Sequence, residues 1–353
     1  MKNFVLVAGY DYERHGLPFR EHCDNRVKRL VAADRSHDDM TFQIFDVGSG
    51  EVVTREFTFP AGTRTEKTTV TRPFTRLTTA NYNQVVSGGE RHYSFKNGQS
   101  GMMSVTDVYA AVRAVGAAAP GTLMELSFFS HAWHGGPILV NSFDDGVMEV
   151  PSAVPGVPPT IVAVGAARDP DDKDPRVGKD FAPANMSAAE LAEFRAAYHV
   201  DGFNWSWGCA FPRLVHEILH KLEYHRDYRS TGLPDAQLFV FTNLRTDHVD
   251  LLNAHLGITL PNPRRVELTF GSLKTFFCRM IVASYNHELA VRSQRKTFGG
   301  MIGTYSEPDT GRLPLMHINK GFGRHFAFYK NYFAFAFDPE DRKYGLYDPA
   351  FTC

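Results

Sequence analysis

Residues 3–9 (NFVLVAG) are apolar almost without interruption, the pattern of a strand covered on both faces. Phe19, Cys23, Val27, Leu30 and Val31 then recur at helical spacing, which predicts a helix over 19–33. Residues 40–47 (MTFQIFDV) alternate as a strand does and stop at the turn signal Gly48-Ser49-Gly50. The chain therefore opens β-α-β. Residues 51–75, rich in Thr, Val and Phe, predict further strands or a hairpin, and the polar, glycine-rich 81–101 predicts a loop. Ser104 caps a helix to about Ala117 with Val105, Val108, Val112 and Val115 on one stripe, and Pro120-Gly121 ends it.

A strand over 123–129 (LMELSFF) follows, running into Ser130-His131-Ala132-Trp133-His134-Gly135-Gly136-Pro137, with a short strand over 138–141 beyond. Residues 142–185 read as a long loop insertion, and their acidic stretch at 168–176 as a solvated turn. Ser187 and Glu190 form a capping box for a helix to Tyr198. An aromatic strand over 203–207 leads to Gly208-Cys209-Ala210, and Pro212 opens a helix over 214–224. Next come a strand at 237–242, helices at 246–256 and 272–292, a strand at 297–302, and an aromatic tail over 324–351 alternating like a closing hairpin. Strands alternating with helices predict an α/β fold: a mostly parallel sheet flanked by helices, with insertions.

Composition narrows the partners. Hydrophobic residues make up 43% and charged residues 22%, ordinary for a globular chain. Lys plus Arg number 38 against 39 Asp plus Glu, so nothing marks a nucleic-acid partner. No apolar run approaches the roughly 20 residues of a membrane span, and no secretory signal is visible. Cys23, Cys209, Cys278 and Cys353 form no C-x-x-C pair and are too sparse for a disulfide scaffold. Reduced thiols in a cytoplasmic setting are the expectation, with an exported effector lacking a cleaved signal as the alternative. The glycines near 299–303 lack dinucleotide spacing, and no cofactor is expected. Oligomeric state is left open.

One constellation carries chemistry. Cys209 stands between a strand end and a helix start, where a helix N-terminus stabilises thiolate and backbone N–H groups can face an oxyanion. A thiolate needs a base, and His131 leaves another predicted strand. Were the two strands parallel neighbours, both residues would share the carboxyl edge where α/β sheets build their sites. A competing motif is His216-Glu217-Ile218-Leu219-His220, an H-E-x-x-H zinc-hydrolase signature. On a helical wheel His216 and His220 fall opposite the stripe of Leu214, Val215, Ile218, Leu219 and Leu222, which favours a solvated face over a metal site.

The pattern at 123–140 (LMELSFFSHAWHGGPILV) and at 203–210 (FNWSWGCA), with the preceding order of strands and helices, resembles the caspase-like (clan CD) cysteine peptidases. The resemblance covers about residues 1–230. It implies a three-layer caspase-like catalytic core there, with the insertion at 142–185, and residues 231–353 completing the same domain. It further implies a thiol protease with Cys209 as nucleophile, His131 or His134 as base, and a peptide or protein substrate. Oxyanion donors would be the backbone N–H groups of Cys209 and of Ala132 or Gly135, with Trp133 beside the cleft. Ala132 rather than Gly follows His131, whereas His134 is followed by Gly135, so both histidines stay open. A zinc hydrolase using His216, Glu217 and His220, and a catalytically silent caspase-like binding module, are the alternatives.

Overall fold

Along strand Lys2–Ala8 every side chain from Asn3 onward is buried, and alternate residues feed different cores. Phe4, Leu6 and Ala8 join one cluster with Phe19, Cys23 and Val27 of helix Phe19–Ala33. Val5 and Val7 join a second with Val105, Val108 and Val112 of helix Val105–Ala118. A strand flanked by core on both faces has no solvent side, which is why its sequence does not alternate with polar residues. In this computed structural model residues 1–11, 17–78, 80–87, 90–95, 101–150, 152, 154–225, 232–260 and 265–353 are described.

The central sheet has eight strands in the order Gly345–Tyr347, Thr297–Gly299, Tyr198–Ser206, Leu123–Phe129, Lys2–Ala8, Met40–Asp46, Glu51–Thr58, Thr65–Thr71. The five from Thr297–Gly299 to Met40–Asp46 are mutually parallel, and the outer strands add antiparallel pairs. This is an α/β architecture with a large, mostly parallel sheet flanked by helices. The chain leaves Lys2–Ala8 towards Met40–Asp46 by one helix, and later enters Leu123–Phe129 on the other side by a helix on the opposite face. The crevice between Lys2–Ala8 and Leu123–Phe129 is thus the point where strand order reverses, the usual place for a binding site in such sheets.

Several expectations need correction. The loop expected over 81–101 contains a hairpin, Tyr82–Ser87 against Glu90–Phe95. Gly88-Gly89 between two β-prone runs was the available signal; residues 88–89 and 96–100 lie outside the described residues. The single helix expected at 272–292 is two, Phe270–Val282 and Tyr285–Ser293. Ser284 breaks it: its hydroxyl donates to the Ile281 carbonyl and accepts the His287 N–H, capping the second helix. The tail is not a hairpin from 324. Helix Gly323–Phe333 occupies its first part, and only Gly345–Tyr347 is a strand, antiparallel to Thr297–Gly299. In so short a run Phe326, Phe328 and Tyr329 fit a period of 2 or of 3.6 equally well. The boundary placed at residue 230 falls in 226–231, outside the described residues.

The acidic stretch at 168–176 is not a solvated turn. Asp169, Asp172 and Asp174 are buried, as is Asp180. Asp174 accepts the N–H groups of Leu139, Val140 and Ser142, and Asp172 is paired with Arg176 at 2.6 Å. These carboxylates clamp the insertion onto the segment that follows the His131 turn. The thiols are not all reduced either, because Cys278 and Cys353 form a disulfide, one that leaves out Cys23 and Cys209. Among the described residues no helix is long and apolar enough to cross a membrane.

Candidate active site

The register of the two central strands carries the Cys209 and His131 segments to the same edge of the sheet. Ser127 pairs with Trp205 and Phe128 with Ser206, and the Trp207 N–H donates to the Phe128 carbonyl at 2.9 Å. Extended by the same step, this register sets Ser130 against Gly208 and His131 against Cys209. Beyond the strand ends the two segments stay close, with Gly208 lying against Ser130 and Ala132. A Cβ placed on Gly208 would lie 2.7 Å from the Ser130 carbonyl oxygen and 2.3 Å from the Ala132 Cβ. Only glycine allows so close an approach, and it draws the Cys209 and His131 segments side by side.

The first strand supplies a third group. Gly9 donates to the Phe129 carbonyl at 2.9 Å, and two residues on, Asp11 Oδ1 lies 3.0 Å from His131 Nε2. Phe19 packs edge-on against the His131 ring at 5.1 Å between centroids. With Nε2–H donating to Asp11, the imidazole carries its acceptor lone pair on Nδ1. Asp11 and His131 therefore flank the reversal of strand order. Nothing in the sequence singled out Asp11; its only signal was a position just past the end of the first strand.

Cys209 is half-buried, just ahead of helix Arg213–Glu223. The backbone N–H of Ser306 points at its Sγ at 3.4 Å, and Ser306 Oγ is 3.6 Å away. An amide donor aimed at sulfur favours the thiolate. Ser306 arrives on hairpin Ser306–Pro308/Met316–Ile318, beyond Thr297–Gly299. Tyr344 closes the far side, donating to the Trp207 carbonyl at 2.6 Å. Its phenol is pushed well up by burial, with a further contribution from Cys209. Phe211 and Tyr305 are exposed aromatic rings on the chain neighbours of Cys209 and Ser306, and Trp133 is exposed on the His131 hairpin.

His134 sits at the tip of that hairpin, His131–Trp133 against Gly136–Ile138. Its ring packs on Trp133, and its carbonyl accepts the Tyr285 N–H at 3.2 Å. Burial, and secondarily His255, lower its pKa to about 4. A general base works best with a pKa near the operating pH, so His134 is the poorer candidate. Gly135 shares the tip, whereas Ala132 lies against Gly208.

The H-E-x-x-H helix buries Leu214, Val215, Ile218, Leu219 and Leu222, as its periodicity predicts. Its opposite face is not wholly solvated. His216 stacks on His325 of helix Gly323–Phe333, with Nδ1 to Nε2 at 3.2 Å; Glu217 pairs with Arg213, and His220 is exposed. Among the described residues no three His, Cys, Asp or Glu side chains converge as metal ligands.

Burial, then His216 and His220, push the His325 pKa down to about 3. An unfolded histidine takes its proton near 6.5, so the unfolded chain binds more protons at this position as pH falls below that value. The stability His325 contributes while neutral is complete above about pH 6.5 and is lost below it. Relative to the parent, His325→Phe is expected to gain up to about 2 kcal/mol between pH 7.5 and 5, read from urea unfolding at both pH values. A difference that does not change with pH would contradict a neutral, buried His325.

Comparison with family models, with characterised proteins and with solved structures returns no match for this chain.

Proposed function

We propose that the chain is a caspase-like thiol hydrolase that cleaves an amide bond in a peptide or protein, with Cys209 as nucleophile and His131 as base. The observation that supports this reading is the parallel pairing of Leu123–Phe129 with Tyr198–Ser206, whose strand ends lead to His131 and Cys209 on one sheet edge, with Asp11 at 3.0 Å from His131 Nε2. Cysteine followed by a helix start, with a histidine on the neighbouring strand end and a carboxylate behind it, is the arrangement nucleophilic acyl transfer requires.

The chemistry follows from the positions. Cys209 Sγ passes its proton to His131 Nδ1 and attacks the carbonyl carbon, and the carbonyl oxygen becomes an oxyanion. Backbone N–H groups of Cys209 and Ala132 are the donors for that oxyanion. Collapse breaks the C–N bond, and the His131 imidazolium gives its proton to the departing amine. Water, deprotonated by His131, then releases the acyl group from sulfur and restores the thiol.

The decisive experiment needs no substrate. The alkylation rate of each free cysteine is followed against pH by mass spectrometry in the parent, His131→Ala and His134→Ala. Fast labelling of Cys209 at pH 7, slowed on the order of tenfold or more by His131→Ala and not by His134→Ala, is the expected result. Slow labelling in the folded parent, unaffected by either change, would leave a catalytically silent module.

A further inference from the structure

Cys278 is buried on helix Phe270–Val282, whereas its disulfide partner Cys353 is exposed. A cavity of about 530 Å³ opens on the Cys353 side of the bond: Cys353 lines it and Cys278 does not. A disulfide is cleaved by a thiolate attacking one of its sulfurs, and access decides which one. Here the approach runs through the cavity and onto Cys353 Sγ. We propose that this bond is a thiol–disulfide exchange site for a small acidic thiol, one that carries carboxylates as glutathione does, with Arg279 as its anchor. The site is independent of the one at Cys209.

The cavity wall selects the class of thiol. Val282, Val291 and Phe351 give it apolar surface, and no acidic side chain lines it. Its basic groups are His255, His287 and Arg279. Both ring nitrogens of His287 already face carbonyl oxygens, that of Val282 at 3.1 Å and that of Phe351 at 3.0 Å. Burial, then Arg279, lowers the His255 pKa, which keeps that ring neutral at pH 7. Arg279 is the exposed cation. One of its amines donates to the His255 carbonyl at 2.8 Å, and the rest of its fork has no hydrogen bond or ion pair among the described residues. It follows Cys278 directly in the helix, so a carboxylate held by the guanidinium brings its thiolate to the disulfide.

The exchange consumes only the small thiol. Its thiolate sulfur bonds to Cys353 Sγ, the bond to Cys278 Sγ breaks, and the electron pair leaves on Cys278, which takes a proton from water. The incoming thiol is thereby oxidised to a mixed disulfide on Cys353, and Cys278 is reduced to a thiol. A second molecule of thiol displaces the first as its own disulfide and leaves both cysteines reduced.

The test measures how fast Cys278 becomes open to alkylation in the folded protein, by acid quench, alkylation and peptide mapping. Two probes are compared, glutathione and the cationic thiol cysteamine, at equal thiolate concentration and low salt. Glutathione is expected to exceed cysteamine by at least about fivefold in rate, with the first adduct on Cys353. Arg279→Gln is expected to bring that ratio towards one. Arg279→Lys, which keeps the charge, is expected to retain most of it, and so separates loss of charge from loss of fold. A parent ratio near one, a ratio unchanged in Arg279→Gln, or a first adduct on Cys278 overturns the proposal. So does a bond that opens no faster than the whole protein unfolds, with unfolding followed in parallel by tryptophan fluorescence.

Discussion

Asp11→Asn is expected to reduce Cys209-dependent turnover on the order of 10²–10⁴-fold while leaving the protein folded. Asp11 faces His131 Nε2 at 3.0 Å; in the proposed mechanism the carboxylate accepts an N–H there and stabilises the imidazolium formed when Sγ gives up its proton. An asparagine in that place can present N–H instead, which turns the imidazole tautomer and puts the proton on the wrong nitrogen. Two readouts separate this role from a structural one. The limb of the pH–rate profile that reports the imidazole should move in Asp11→Asn. The double variant Asp11→Asn/His131→Ala should be little slower than His131→Ala alone, because residues acting as a unit are not additive. Turnover of Asp11→Asn within about twofold of the parent would remove Asp11 from the site.

Glu125→Ala is expected to cost about 3–5 kcal/mol of stability, the usual penalty for stranding a buried charge. Arg26 and Glu125 are both almost wholly buried, joined at 2.7 Å, and Ser127 donates to the same carboxylate. The guanidinium also lies 5.4 Å from the ring centroids of both Trp205 and Trp207. Glu340 remains as a partner in the variant but is partly exposed, so it compensates little. Urea unfolding measures the loss. Arg26→Met/Glu125→Leu, which removes both charges, is expected to recover at least half of it. A single variant within about 1 kcal/mol of the parent would show that solvent or Glu340 supports Arg26 unaided. The pair bears on function because it sits beneath the tryptophan strand that delivers Cys209.

Much of this was legible in the sequence, and the boundary has physical reasons. The parallel core was readable because strands buried on both faces leave nearly continuous apolar runs, as in 4–8, while 123–129 keeps five apolar residues around Glu125 and Ser127. Helix 246–256 was placed at its observed ends, Thr246–Leu256, and the stripe of helix Arg213–Glu223 was assigned correctly because its apolar face is narrow. Cys209 and His131 stood out by position at strand ends. Asp11 did not, because an aspartate after a strand looks like any turn residue until a neighbouring strand brings His131 to it. Buried Asp172 and Asp174 were read as solvated for the same reason: their partners Arg176 and Ser142 convert a polar run into an interior network only once folded. The split of 272–292 turned on a single serine whose hydroxyl prefers the backbone, below the resolution of periodicity.

The Cys278–Cys353 disulfide has a topological meaning. It closes a covalent ring through residues 278–353. Ser306 and Tyr344, which touch the surroundings of Cys209, lie inside that ring. Asp11, His131 and Cys209 all lie outside it, on the remainder of the chain. The candidate site is therefore where an open stretch of chain, carrying Asp11, His131 and Cys209, meets a covalently closed loop. Cutting the disulfide would leave that loop tied to the rest of the molecule by packing and strand pairing alone, so the wall facing Cys209 would lose its covalent closure.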